Sequence, residues 1–180
     1  FTDLDGKLRA IKPDVTLSIA KTAQPAPGEC KRFYYNEEVC RASRESHTFQ
    51  TIHQMGLECM GEVDEAAQAE VLRLALASLA ALDVPTVLEA GADALCGLLT
   101  LHGPFGATLT AAKAAAISPS QKAALAELLA LQNALGEAGR GLQLDLSMAD
   151  EAEYYNGIVF TGYAAGIPRA VLKGGQYDYL

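Results

Sequence analysis

The sequence lacks the features that mark several classes of protein. No apolar run approaches the roughly 20 residues that a membrane-spanning helix needs. The formal net charge of −8 leaves no basic excess to attract nucleic-acid backbones. The glycine and lysine spacing of a phosphate-binding loop does not occur either. We therefore expect neither a membrane protein nor a general nucleic-acid binder.

The cysteines and histidines lack the spacing of a metal site or a catalytic dyad. The four cysteines, Cys30, Cys40, Cys59 and Cys96, form no CxxC pair. The three histidines are dispersed, and none lies near a serine or cysteine in a catalytic pattern. We interpret the cysteines as reduced, buried or half-buried thiols of a cytoplasmic protein. No metal and no cofactor are predicted.

Length and composition suit one globular domain. The chain has 180 residues, of which half are hydrophobic and one-fifth are charged, enough for a domain with a real core. Strand patterns surround a block of amphipathic helices at about 63–140. This segregation favours an α+β fold with a mostly antiparallel sheet and a helical insertion.

The first 61 residues predict strands around one helix. A hairpin turns at Asp5-Gly6, and a helix opens at Asp14, whose carboxylate can cap it. The aromatic and valine-rich run over 31–43 predicts two short strands, and the run over 48–61 predicts a longer one.

The rest of the chain alternates helices and strands. The segment Ser118-Pro119-Ser120-Gln121 predicts a helix start, because serine caps the helix, proline suits its first position and glutamine completes a capping box. This helix is predicted to run through a leucine stripe, Leu125, Leu128, Leu131 and Leu135, and glycines stop it after Leu135. The other predicted helices cover 63–83, 92–101 and 107–116, and the strands cover 84–89, 142–149 and 156–164. The last segment, over 166–180, predicts a turn, a further strand and a glycine-rich end.

The predicted strand over 51–60 has two unlike faces, because alternate residues of a strand share a face. One face carries Ile52, Gln54, Gly56, Glu58 and Met60, and the other carries Thr51, His53, Met55, Leu57 and Cys59. We expect the second, largely apolar face to be core, with His53 a structural histidine. On the first face a glycine separates an amide from a carboxylate, which can form the floor for a small ligand with an ammonium group. The alternative is a half-exposed strand with a bulge at Gly56.

Other positions carry weaker signals. Asp14 is either a simple helix cap or a carboxylate that faces a pocket. Tyr155 and Gly157 place a polar aromatic and a gap on one strand face, with Tyr154 on the other. Gly174 and Gly175, before Tyr177, permit close approach of backbone to a ligand. Arg41 and Arg44 are either surface residues or contacts for a phosphate or carboxylate.

Taken in order, the segments KPDVT, YYNEEVCRAS, QMGLECMG, YYNGIVFTGY and GGQYD resemble histidyl-tRNA synthetase, a class II aminoacyl-tRNA synthetase. They resemble more closely its non-catalytic relatives, the regulatory subunits of ATP phosphoribosyltransferase in histidine biosynthesis. The resemblance implies one class II core domain over 1–180, with an antiparallel sheet flanked by helices. It also implies a catalytic ATP phosphoribosyltransferase subunit as partner and a homodimer within a hetero-oligomer.

The resemblance also implies a histidine pocket. Asp14 and Thr16 would hold the amino group, with Gln54 and Glu58 nearby. Tyr155 and Tyr177 would surround the imidazole, and Gly174 and Gly175 would line the pocket.

The positions that face ATP in the synthetase differ from its pattern. Asp150 replaces an arginine, Ser43 a glutamate and Gln50 a further arginine, while Arg41 is kept. An acidic residue at position 150 would repel the ATP phosphates rather than stabilise developing negative charge. We therefore expect histidine binding without activation. The alternatives are a synthetase-like enzyme that activates histidine with ATP, and a stand-alone amino-acid-binding paralogue.

Family segments are also missing by this resemblance. The first class II motif would precede Phe1, a further portion would follow Leu180, and more chain is usual between Gly103 and Pro104. We therefore expect a piece of a longer protein. Without the first motif, the sequence does not decide whether the chain dimerises in the manner of the family.

Overall fold

The structure, a computed structural model, describes residues 2–8, 10–12, 14–43, 47–92, 95, 101–116, 118–148 and 155–177. The chain divides into two compact units, Phe1–Val63 and Asp64–Leu180, and each is described by itself below. The single domain over 1–180 stays a prediction. No helix in the described part of the chain is long and apolar enough to cross a membrane.

The first unit is built on a long β-hairpin. Strand β1 (Cys30–Ala42) pairs antiparallel with β2 (Phe49–Gly61) in an unbroken register from Cys30 opposite Gly61 to Ala42 opposite Phe49. The prediction of two short strands over 31–43 was wrong, because this ladder continues without interruption. The alternative of a bulge at Gly56 was also wrong, since Gly56 sits directly opposite Tyr35.

Helix α1 (Thr16–Ala23) precedes the hairpin, and the predicted turn at Asp5-Gly6 lies before it, within an antiparallel bridge between Thr2 and Leu8. Val15 occupies the N-cap position without a side-chain cap bond. Asp14, one residue earlier, instead accepts a hydrogen bond from the Thr16 N–H at 2.6 Å. The carboxylate thus satisfies one orphan donor of the first turn.

The predicted core face of the second strand was wrong. Met55 on that face is 74% exposed, and His53 is exposed, whereas Met60 on the opposite face is 8% exposed. The reason is that the start of α1 lies against the strand face that carries Glu58, since the Thr16 hydroxyl donates a hydrogen bond to the Glu58 carboxylate. Polar side chains on that face are therefore satisfied by hydrogen bonds, which removes the usual penalty for burying them.

The second unit is a five-stranded sheet with helices. Its strand order is β4-β5-β3-β6-β7, with β3 and β5 parallel and the other three pairings antiparallel. This mostly antiparallel sheet confirms the α+β prediction. The elements are α2 (Glu65–Ala80), β3 (Thr86–Ala92), β4 (His102–Pro104), α3 (Phe105–Ala115), α4 (Pro119–Leu135), a 3-10 helix (Gly136–Gly141), β5 (Leu142–Asp145), β6 (Ile158–Ala164) and β7 (Leu172–Gly175).

The core of this unit lies between the helices and one face of the sheet. Alternate residues of β3 and β5 face it, and so do the apolar stripes of the helices. The predicted stripe of α4 is confirmed, since Leu125, Leu128, Leu131 and Leu135 are all buried. The predicted capping box is also confirmed, with Ser118 accepting from the Gln121 N–H and Gln121 accepting from the Ser118 N–H.

Two predictions for this unit need comment. Most of the helix predicted over 92–101 lies outside the described residues. The glycines predicted to follow the last strand are instead its final residues, because Gly174 pairs with Phe160 and Gly175 with Val159.

Candidate functional site

In the first unit, Thr16 joins two carboxylates. Its hydroxyl donates to Glu58 Oε1 at 2.5 Å, and its backbone N–H donates to Asp14 Oδ1 at 2.6 Å. Thr16 can do both because it stands at the first position of α1, where the N–H has no partner within the helix. The helix start and the middle of β2 are thereby held together.

Arg41 extends this network from β1. One of its guanidinium nitrogens lies 3.1 Å from Asp14 Oδ2 and 3.1 Å from Gln54 Oε1. The segment before α1 reaches this arginine because the Cys40 N–H donates to the Lys12 carbonyl at 2.9 Å. The structure therefore brings together five predicted positions: Asp14, Thr16, Arg41, Gln54 and Glu58.

Tyr35 completes the network, and the sequence analysis missed it. Gln54 Nε2 donates to the Tyr35 hydroxyl oxygen at 2.7 Å. The ring lies over Gly56, where an added Cβ would be 2.3 Å from Tyr35 Cζ. The gap predicted between Gln54 and Glu58 is thus covered by the opposite residue of the hairpin. Pairing 30–42 with 49–61 end to end would have found Tyr35, because that register sets it opposite Gly56.

The local field of the network is negative. Burial raises the pKa of the Tyr35 phenol, and the charges of Glu58 and Asp14 raise it further, whereas its hydrogen bonds with Gln54 and Thr16 lower it. Arg41 pairs with the carboxylate of Asp14, and the Thr16 hydroxyl donates to the carboxylate of Glu58. We name these six residues, Asp14, Thr16, Tyr35, Arg41, Gln54 and Glu58, the carboxylate network. Its acceptors suit a ligand with an ammonium or another cationic donor group.

A second group of predicted residues lies in the second unit. The rings of Tyr155 and Tyr177 are 6.5 Å apart at 33°, a tilted aromatic pair. The Tyr155 ring covers Gly175, where an added Cβ would be 2.7 Å from its Cδ1. Phe160 covers Gly174 in the same way, at 2.2 Å from its Cζ. Aromatic rings of the same unit occupy the space beside these two glycines, so neither position has room for a Cβ.

Gly157 plays a similar part beside the aromatic pair. An added Cβ there would lie 2.8 Å from the Gln176 amide oxygen. That oxygen accepts a hydrogen bond from Gln68 Nε2 of α2 at 3.0 Å, while the Gln176 N–H donates to the Ile158 carbonyl. Gln176 therefore fixes the segment that carries Tyr177.

The other predicted positions fall in three places. Ser43 follows β1, and Gln50 is exposed on β2, opposite Arg41. Arg44, Asp150 and Tyr154 lie outside the described residues. That the carboxylate network and the tyrosine pair line one pocket stays a prediction. A separate cavity of about 480 Å³ in the second unit is lined by Met148, Thr161, Tyr163, Pro168, Arg169, Ala170 and Lys173, none of them a predicted site residue.

Comparison with known proteins gives a consistent family. The histidyl-tRNA synthetase family matches residues 1–91 and 86–180. Curated relatives include ATP phosphoribosyltransferase regulatory subunits of Thermus thermophilus and Moorella thermoacetica. They are 29% and 27% identical over 99% and 100% of this chain. The chain spans about 60% of their length, 62% and 60% respectively.

Solved structures show the same fold. One is described as an ATP phosphoribosyltransferase regulatory subunit/histidyl-tRNA synthetase from Bacillus halodurans, with a TM-score of 0.81 at 22% identity, covering 99% of this chain and 60% of that one. Another is the ATP phosphoribosyl transferase (HisG:HisZ) complex from Thermotoga maritima, with a TM-score of 0.71 at 21% identity, covering 99% and 80%. The class II synthetase-like fold predicted from the sequence is confirmed.

Proposed function

The chain belongs to the histidyl-tRNA synthetase family, and we propose that it acts as a cytoplasmic, non-catalytic regulatory subunit of ATP phosphoribosyltransferase that binds histidine. The names of its curated relatives support the regulatory assignment. The carboxylate network is the observation that carries histidine binding. A catalytic ATP phosphoribosyltransferase subunit is the proposed partner, with two copies of this protein within the hetero-oligomer.

The chemistry of the network suits the amino end of histidine. An ammonium group has three donors and no acceptor, and Asp14, Glu58 and the Thr16 hydroxyl offer oxygen acceptors a few ångströms apart. Asp14 and Thr16 hold the ammonium in this proposal, with Gln54 and Glu58 beside them. The Asp14 side chain is only 19% exposed, so water screens its charge less than on an open surface.

Tyr155 and Tyr177 are the residues proposed to surround the imidazole, as the family resemblance implies. Two tilted rings 6.5 Å apart offer aromatic surface against which an imidazole ring can pack. Gly174 and Gly175 hold these rings close to the sheet, because any side chain at either position would displace them.

The same residues argue against activation of histidine with ATP. Adenylation builds negative charge on phosphate oxygens, so the site must supply positive charge there. In the described hairpin, Arg41 is already engaged by Asp14 and Gln54, and its opposite neighbour Gln50 is neutral. Ser43 is neutral as well, and the acidic Asp150 lies outside the described residues. A synthetase-like enzyme remains the rival function.

Regulation follows if histidine prefers one state of the assembly. A ligand shifts an equilibrium only by its difference in affinity between the states. The coupling is reciprocal, so the catalytic subunit must alter histidine affinity by the same factor that histidine alters assembly.

Titration calorimetry with a panel of amino acids tests ligand choice, and ATP–pyrophosphate exchange with histidine tests the rival. We expect histidine to bind in preference to the other amino acids, with no exchange. Measurable ATP–pyrophosphate exchange by the purified protein would contradict the regulatory assignment. A preference for another amino acid would instead favour a stand-alone amino-acid-binding paralogue.

A further inference from the structure

Two cysteines of the hairpin lie close enough to react with each other. The sulfurs of Cys30 and Cys59 are 2.6 Å apart, and both residues are half-buried cysteines that are not in a disulfide. A disulfide needs about 2.05 Å between sulfurs, so the gap to be closed is about half an ångström. We propose that this pair is a reversible thiol-oxidation site, forming an intramolecular disulfide that links β1 to β2.

The register of the hairpin explains how the sulfurs meet. Cys30 is opposite Gly61 and Cys59 is opposite Arg32, so the two cysteines are diagonal neighbours on one face. The backbone on both strands is held by the ladder. Bond formation therefore needs side-chain movement and little backbone movement.

The surroundings suit an anionic disulfide oxidant. The guanidinium of Arg32, directly opposite Cys59, donates to the Cys30 carbonyl at 3.3 Å. This keeps a positive charge beside the pair. Oxidised glutathione, which carries carboxylates, would be drawn to that charge.

The reaction balances as a thiol–disulfide exchange. One cysteine, as its thiolate, attacks a sulfur of oxidised glutathione and releases one glutathione. The second cysteine then attacks the mixed disulfide and releases the other glutathione. The pair gives up two electrons and two protons, and the oxidant is reduced to two molecules of glutathione.

The disulfide would constrain the hairpin without entering the carboxylate network. Glu58 and Cys59 are adjacent, so their side chains point to opposite faces of β2. The disulfide would close the loop between Cys30 and Cys59, which restricts the unfolded chain. Oxidation is thus expected to raise the thermal midpoint of unfolding.

Thiol counting after treatment with oxidised glutathione tests the proposal. In a Cys40→Ser/Cys96→Ser protein, which keeps only the pair, we expect two free thiols before oxidation and none after. The mass should fall by two hydrogens, and dithiothreitol should restore both thiols. In the wild-type chain, peptide mapping should find Cys30 joined to Cys59, so the result does not depend on any variant folding.

Matched variants separate the pair from the other thiols. Cys30→Ser and Cys59→Ser should each abolish the intramolecular bond, whereas Cys40→Ser, on the same face of the hairpin, should leave it intact. Two retained thiols, a glutathione adduct on each sulfur, or a disulfide between two chains in place of the internal one would overturn the proposal.

Discussion

Thr16 and Glu58 lie 42 residues apart in the chain, and the Thr16 hydroxyl donates to Glu58 Oε1 at 2.5 Å. This bond ties the start of α1 to β2 and places a carboxylate beside Asp14, Gln54 and Tyr35. The candidate site of the first unit depends on this contact between the start of α1 and one face of the hairpin.

Glu58→Ala tests whether the carboxylate network binds histidine. A hydrogen bond to a charged group contributes about 1.5–3 kcal/mol, so calorimetry should find histidine affinity reduced by about 10- to 150-fold. Glu38→Ala is the matched control, since Glu38 is an exposed residue of β1 on the opposite face of the hairpin. Unchanged affinity in Glu58→Ala would move the histidine site elsewhere.

Gly56→Ala tests the packing of Tyr35 across the hairpin. The new methyl group would lie 2.3 Å from Tyr35 Cζ, so the ring must leave its place over the strand. Overpacking of this kind costs about 1–3 kcal/mol in free energy of unfolding, measurable by urea denaturation. The cost should shrink in a Tyr35→Ala background, where the obstructing ring is gone.

Gly141→Ala is the control for that experiment. Nothing lies within 4 Å of an added Cβ at Gly141, so its free energy of unfolding should change by no more than about 0.5 kcal/mol. If Gly56→Ala lowered the free energy of unfolding equally in the wild-type and Tyr35→Ala backgrounds, the result would contradict the contact between Tyr35 and Gly56.

Glu89→Gln tests an electrostatic feature of the sheet in the second unit. Burial raises the pKa of the Glu89 carboxyl, the charge of Asp145 raises it further, and His102 lowers it. The folded protein therefore binds the Glu89 proton more tightly than the unfolded chain does. The stability from this group is fully present below the ordinary pKa and is lost as pH rises through the raised pKa.

Glutamine stays uncharged, so Glu89→Gln should unfold at a higher temperature than wild type at pH 7. The difference should shrink as pH falls to about 4, and it should be small because the side chain is only half-buried and water screens its charge. Glu127→Gln, on the exposed side of α4, should show no such trend. A difference for Glu89→Gln that is the same at both pH values would count against the account.

Local signals in the sequence predicted local structure well. The capping box at Ser118 and the leucine spacing of α4 fixed that helix, because both depend on residues a few positions apart. The face of β2 was predicted wrongly for the opposite reason. Apolar residues such as Met55 indicated a core, yet burial there depends on α1, a distant segment in the chain.

The candidate site shows the same division. The glycine between Gln54 and Glu58 indicated the face of β2 on which the carboxylate network lies, but Tyr35 was missed because only strand register sets it over Gly56. The prediction that Asp14 and Thr16 act together came from family resemblance rather than from any local pattern. The separation of Cys30 and Cys59 in sequence likewise hid their contact, which the register of the hairpin creates.

The most direct test of the central claim is the rate of a catalytic ATP phosphoribosyltransferase subunit, measured while this protein and then histidine are added. We predict that the protein changes the rate in a saturable way and that histidine alters this effect, with Glu58→Ala blunting the response to histidine. A rate that is the same with and without the protein, at every histidine concentration, would contradict the account.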